Sequence, residues 1–188
     1  MNLTLLIALL AAAAIFFVAE RMGAPLVLAL NFKGDVKRET RWLAQYGQAV
    51  CTGVVMLLVW RLDGIGKHKD APWAILVAVA GASLGAFILK RLLGRVRPGR
   101  ENAGKFLGPT LRHANWRESF PSSHSASAFA LSAVLAALYP QGAAVFWALA
   151  ACCAALRYIM DAHWPSDVLS GVALGYICGY LAAMQFVK

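Results

Sequence analysis

Six separate apolar blocks divide this chain: Leu3–Ala19, Trp42–Trp60, Trp73–Leu89, Ser123–Tyr139, Ala143–Met160 and Asp167–Val187. A helix that crosses a bilayer needs about 17–25 mostly apolar residues, and each block meets that length. The blocks are too long for buried strands and show no alternating pattern, which argues against a membrane β-barrel. The expected fold is therefore all-α, a polytopic membrane protein with six transmembrane helices in a single domain over residues 1–188. The longest stretch left over is Lys90–Ser122, so no soluble catalytic domain fits. Any chemistry must be done by helix ends and one long loop. Composition agrees: 60% of residues are hydrophobic and only 14% charged, which excludes a disordered chain and an ordinary soluble enzyme.

The first block has the length of a signal peptide. However, Met1–Thr4 carries no basic residue and no clean small-x-small cleavage site follows, so it is read as a retained first helix. Pro25–Phe32 is short and apolar and is expected to lie in the interface as a helix. Trp42, Trp60, Trp73, Tyr139 and Trp164 fall at or beside expected helix ends, where aromatic rings favour the headgroup layer. Gly171, Gly175 and Gly179 repeat every four residues on one face of the last helix, and Gly81 and Gly85 do the same in the third. Small residues let helix backbones approach closely in lipid, and packing within the chain is the expected use. Cys51, Cys152, Cys153 and Cys178 all lie inside expected spans without metal-ligand spacing and read as small apolar fillers. No oligomeric state is assigned.

The charge is unevenly placed. Eighteen Lys and Arg face nine Asp and Glu, a net charge of +9. With six spans both chain ends share one side, and all basic residues but Arg61, Lys67, Lys69 and Lys188 gather on the other. Lys90, Arg91, Arg95, Arg97, Arg100, Lys105, Arg112 and Arg117 sit between Lys90 and Phe120 against only Glu101 and Glu118. Basic loops ordinarily stay cytoplasmic, and basic residues also attract anionic headgroups. A nucleic-acid partner is suggested by net charge alone and fits poorly with a membrane setting.

Spacing favours a third reading. Lys90 and Arg97-Pro98 end the third helix, Pro121-Ser122-Ser123-His124 opens the fourth, and Arg157, His163 and Asp167 run from the end of the fifth to the start of the sixth. Topology gathers all three pieces at one membrane surface. Lys90, Arg97 and Arg157 supply cations, and the planar fork of Arg97 grips two oxygens at once. The start of a helix offers free backbone N–H groups to an anion. His124 and His163 can transfer protons or attack an electrophile. Asp167, four residues after His163, can fix its tautomer and stabilise charge on the ring. Singly, each piece is ordinary for a helix end; together they form a reactive site for a tetrahedral dianion. His68 and His113 read as solvated histidines, and Arg91, Arg95, Arg100, Arg112 and Arg117 take no assigned role.

The pattern Lys-x6-Arg-Pro, Pro-Ser-x-His, Arg-x5-His-x3-Asp resembles the type 2 phosphatidic acid phosphatase (PAP2) superfamily, which shares its site with vanadium haloperoxidases and glucose-6-phosphatase. Two positions depart from the usual pattern: Ser123 stands where glycine is usual, and Leu156 precedes Arg157 where serine is usual. The resemblance implies a metal-independent lipid phosphatase without cofactor. His163 would be the nucleophile, oriented by Asp167, and His124 the general acid and then base. Lys90, Arg97, Ser122, Ser123 and Arg157 would hold the phosphoryl oxygens. It further implies a lipid-borne substrate such as phosphatidylglycerophosphate, phosphatidic acid, undecaprenyl diphosphate or a lipid A phosphate. The expected setting is the bacterial inner membrane with the site facing the periplasm, against the count of basic residues. A phosphotransferase using the same site, or a non-enzymatic binder of anionic lipid, stands as the alternative.

Overall fold

The computed structural model of the protein describes residues 2–28, 30, 40–63 and 68–187. Six α-helices are delimited among the described residues: α1 (Leu3–Arg21), α2 (Ala49–Asp63), α3 (Ala71–Leu93), α4 (Ser123–Leu138), α5 (Ala143–Ile159) and α6 (Pro165–Phe186). Among the described residues there is no strand, only an isolated antiparallel bridge between Arg95 and Phe106. Leu3–Arg21, Ala71–Leu93, Pro140–Ile159 and Pro165–Phe186 are long and apolar enough to cross a membrane; α2 and α4 are apolar but shorter. The chain is an all-helical integral membrane protein.

Each expected block is helical for most of its length, but with four helices of crossing length among the described residues the expected six spans are not confirmed, and the second block also differs in shape. In place of a helix over Trp42–Trp60, residues 40–43 are helical, residues 44–48 form turns, and α2 begins at Ala49. Gly47 sits at φ +82 against the backbone of Ala128, in a space that no side chain would fit. That close approach sets the break. Non-helical backbone at membrane depth is tolerated where protein covers it and its polar groups find partners. Here Thr52 Oγ1 donates to the Gly47 carbonyl at 2.9 Å, and Tyr46 Oη pairs with Ser132 Oγ at 3.0 Å. Over Pro25–Leu28 the chain is not helical; part of the interfacial helix expected at Pro25–Phe32 lies outside the described residues, as do the cations Lys33, Lys37, Arg38, Lys67 and Lys188.

α4 is the central helix. Ala126, Ala130, Leu131 and Val134 are fully buried in the main core with Ala74, Ile75, Ala78 and Ala82 of α3. A helix apolar on all sides is one surrounded by protein. Its closest companion is α6, which runs parallel to it. Gly171 faces Ser122 and Ser125, Gly175 faces Ala126, and Gly179 faces Ala130. A side chain at Gly175 would overlap the Ala126 carbonyl, so the glycine row sets how near the two helices lie. α3 runs antiparallel to α6, with Gly85 against Leu174 and Gly81 beside Cys178. α1 also lies antiparallel to α6, its first residues held where the Asn2 N–H donates to Tyr176 Oη at 3.0 Å. This topology brings the C-terminal ends of α1, α3 and α5 to the N-terminal ends of α4 and α6. The three motif pieces meet at that end.

Candidate active site

The loop between α3 and α4 covers this end. α3 closes on Gly94 in the left-handed conformation (φ 62). The chain then doubles back: Val96 N–H donates to the Lys105 carbonyl at 2.9 Å, and Leu107 N–H to that of Gly94 at 3.1 Å. Arg97 N–H reaches the Trp116 carbonyl at 2.9 Å and Ser119 N–H that of Arg95 at 3.0 Å. The loop is therefore a hydrogen-bonded cover whose residues have fixed positions. Several basic residues serve it. Arg91 Nη1 donates to Glu118 Oε1 at 3.0 Å and to the Arg112 carbonyl at 2.6 Å, and Arg117 Nη2 donates to that of Gly108 at 2.6 Å. His113 pairs with Glu118 at 2.8 Å. Burial alone would raise the Glu118 pKa, but the Ala114 N–H, His113 and Arg91 outweigh it and hold the carboxyl below its usual range. At the opposite end of the molecule, His68 packs edge-on to Tyr139.

Arg97 is the best-fixed motif cation. Its Nε donates to the Asn115 carbonyl at 2.7 Å, Nη1 to that of Ala162 at 2.9 Å and Nη2 to that of Glu118 at 3.4 Å. A guanidinium has five N–H donors, so two remain for a ligand while three hold the group in place. Lys90, in the last turn of α3, and Arg157, in the last turn of α5, have no such anchors among the described residues. Arg157 Nε is shut off from solvent with no hydrogen-bond partner. Lys90 feels the charges of Arg97 and Arg157, and His124 feels those of Arg157, His163, Lys90 and Arg97. Three like charges gathered beside two imidazoles repel one another and favour an anion between them.

The start of α4 adds backbone donors. Ser122 is the N-cap: its Oγ accepts from Ser125 N–H at 3.4 Å and Ser125 Oγ at 2.9 Å, and its own N–H donates to the Asp167 carbonyl at 3.0 Å. Ser122 thus ties α4 to α6 and is fully buried. The N–H groups of Ser123 and His124, in the first turn, take no acceptor among the described residues. Ser123 enters the helix in place of the usual glycine with its N–H still available.

His163 lies 1% exposed in the turn between α5 and α6. Its Nδ1 donates to the Ser119 carbonyl at 2.7 Å. A carbonyl only accepts, so the proton sits on Nδ1 and Nε2 keeps its lone pair. Burial pushes the imidazole down to about 3; Asp167 opposes this, while Arg97 and Lys90 add to it. The ring is therefore neutral near pH 7, and its Nε2 lone pair is able to attack or to accept a proton. Asp167 Oδ2 stands 3.8 Å from Nδ1, outside direct hydrogen-bond range. The link runs through Ser119, whose Oγ donates to Asp167 Oδ2 while its carbonyl accepts from His163.

Site residues that the motif spacing did not reveal are Ser119, Arg95, Glu20 and the Trp164 backbone. Arg95 Nη1 donates to Asp167 Oδ1 at 2.5 Å and Nη2 to Glu20 Oε2 at 2.7 Å, and Trp164 N–H donates to Asp167 Oδ2 at 3.0 Å. Glu20 had one visible signal, a lone acid ending an apolar block. Nothing in the sequence separates the inward Arg95 from its basic neighbours, because the direction is set by the loop's own fold.

An all-helical membrane fold that gathers Lys90, Arg97, Arg157, two histidines and the free start of α4 at one end has the charges and donors that suit a tetrahedral oxyanion. The chain belongs to the PAP2 superfamily, whose family model matches residues 71–188. It is 38% identical over 112 residues to a lipid A 1-phosphatase of Rhizobium johnstonii and 36% identical over 116 residues to one of Rhizobium etli. Those matches cover 58% and 61% of this chain and 46% and 50% of the relatives, so the chain spans about half the length of the curated relatives it matches. Its fold is similar to the crystal structure of Aquifex aeolicus LpxE, with a TM-score of 0.65, 20% identity, and coverage of 82% of this chain and 88% of that one. It is also similar to the PAP2-type phosphatidylglycerolphosphate phosphatase of Bacillus subtilis, with a TM-score of 0.67, 19% identity, and coverage of 99% and 95%.

Proposed function

We propose that the protein is a membrane lipid phosphatase that works through a phosphohistidine. The observation that carries this reading is the clustering of Lys90, Arg157 and the two spare Arg97 donors beside a neutral His163 whose Nε2 lone pair is left free by the Nδ1 bond to Ser119. Family membership is consistent with it.

In the first step His163 Nε2 attacks phosphorus and the bond from phosphorus to the lipid oxygen breaks. His124 supplies the proton that the leaving oxygen takes up. In the second step His124 accepts a proton from water, the water oxygen bonds to phosphorus, and the N–P bond breaks to restore Nε2. Lys90, Arg97, Arg157 and the Ser123 N–H stabilise the charge on the equatorial oxygens. His163 gains positive charge as it attacks, and the Asp167 carboxylate, 3.8 Å from Nδ1, stabilises that charge.

The substrate is a phosphate borne on a membrane lipid, since the site opens at the ends of membrane-spanning helices. The relatives' name makes lipid A carrying a 1-phosphate the first candidate, ahead of phosphatidylglycerophosphate, phosphatidic acid and undecaprenyl diphosphate. The site faces the periplasm of a bacterial inner membrane in this reading. Arg91, Arg95, Arg97 and Arg117 are engaged inside the protein and are not free to act as cytoplasmic retention signals. Purified protein should release phosphate from at least one of these four lipids, with His163→Ala silent. Equal release by the variant would exclude His163 as nucleophile.

A further inference from the structure

One basic residue near the site does not face it. Arg95 is 1% exposed, and its side chain lies under the rings of Phe17, Phe106 and Trp164, with the guanidinium carbon 5.7, 5.3 and 5.4 Å from their centroids. Its Nη1 donates to Asp167 Oδ1 at 2.5 Å and to Ser166 Oγ at 2.7 Å; its Nη2 donates to Glu20 Oε2 at 2.7 Å. Glu20 is equally committed: Ser166 N–H donates to its Oε1 at 3.0 Å and Ser166 Oγ to its Oε2 at 2.5 Å. A guanidinium bound to two carboxylates and walled in by three rings cannot also grip a phosphate. Lys90, Arg97 and Arg157 are left to do that.

We propose that Arg95 and Glu20 are positioning residues for the nucleophile, acting through Asp167. The proposal rests on the assignment of His163 above. Arg95 holds Oδ1 of Asp167, so that Oδ2 turns toward Ser119 and the Trp164 N–H. Ser119, fixed by that bond, presents the carbonyl that receives His163 Nδ1–H. Glu20 holds the other half of the guanidinium and stops Arg95 from swinging toward the anion pocket. A single buried guanidinium between two carboxylates leaves one net negative charge beside an imidazole that becomes cationic as it attacks. Glu20 lies in α1, outside the residues that match the family model, so the catalytic geometry depends on a helix that carries none of the motifs.

The test uses the full chain in detergent, with Glu20→Gln and Arg95→Lys as conservative variants and Arg95→Ala as the severe one. Steady-state turnover is measured on the lipid phosphate that the wild type hydrolyses best, and the inhibition constant for inorganic phosphate, held without a bond to His163, reports on Lys90, Arg97 and Arg157. Misplacing a reacting group by about 1 Å can cost about 100-fold in rate. Arg95→Ala should therefore lose about 100-fold in kcat and Glu20→Gln about 10-fold, with KM and the phosphate constant changed by no more than about threefold; Arg95→Lys should recover part of the Arg95→Ala loss. Unchanged kcat in Glu20→Gln and Arg95→Ala overturns the proposal while the phosphatase reading stands. Parallel collapse of kcat and phosphate affinity also overturns it, since that marks Arg95 as a phosphate ligand or a general structural support. A wild type silent on every lipid overturns the phosphatase reading and this proposal with it.

Discussion

At the scale of single residues, His163 is held by one carbonyl and one charge environment. Its tautomer follows from the Ser119 carbonyl, and its neutrality from burial beside Arg97 and Lys90. With an imidazole pushed down to about 3, the folded protein binds fewer protons here than the unfolded chain, whose histidine titrates near its ordinary value of 6.5. This contribution to stability is full above pH 6.5 and is lost as pH falls toward 3. In the substrate-free protein, NMR of 15N-labelled histidine should show the His163 ring neutral and not titrating between pH 5 and 8; a midpoint near 6.5 would contradict the buried, neutral nucleophile. Ser119→Ala removes only the hydroxyl and leaves the carbonyl. It should lower kcat by about 10-fold with little change in KM, by loosening the tie between Asp167 and His163. An unchanged kcat would show that the tie is idle.

At the scale of elements, the glycine row of α6 and the N-cap Ser122 set the register of the two helices that carry His124 and Asp167. Gly175→Ala places a methyl group against the Ala126 carbonyl and should destabilise the protein by about 1–3 kcal/mol, read as a lower melting temperature in detergent. Gly53→Ala, where nothing lies within 4 Å, is the matched control and should change it little. An equal effect of both would remove the close approach as the cause. The helices themselves were legible in the sequence, because six long apolar blocks leave few alternatives to helix, although two of the helices proved shorter than a span. Their ends were less so. The break at residues 44–48 was hidden, because a polar pair such as Gln45 and Gln48 inside an apolar block is also compatible with a continuous helix. Only contact with α4 shows why Gly47 ends one helical stretch before another begins. The motif residues were legible because their spacing is short and each lies near a helix end. Ser119, Arg95 and Glu20 were not, because their roles come from a loop fold and a helix contact between residues distant in sequence.

At the scale of the whole molecule, the positive excess is divided between two uses. Lys90, Arg97 and Arg157 gather beside His124 and His163, where the proposed reaction uses them, while Arg91, Arg95 and Arg117 hold the covering loop and the acid network. Basic residues committed in this way are poor guides to orientation. If the site faces the periplasm, a single cysteine at Lys69, in a chain with its four native cysteines replaced, should stay unlabelled by an impermeant maleimide in intact cells and react after the cells are opened. Labelling in intact cells would place the site in the cytoplasm.

In the proposed reaction phosphate passes through His163. This route is tested most directly by quenching the purified protein during turnover of a lipid carrying a labelled phosphate, under alkaline conditions that preserve phosphohistidine, and mapping the label by peptide. Label is expected on the peptide that contains His163, a larger amount in His124→Ala, where the second step is slowed, and none in His163→Ala. Phosphate release by His163→Ala at the wild-type rate, with no label on that peptide, would contradict it.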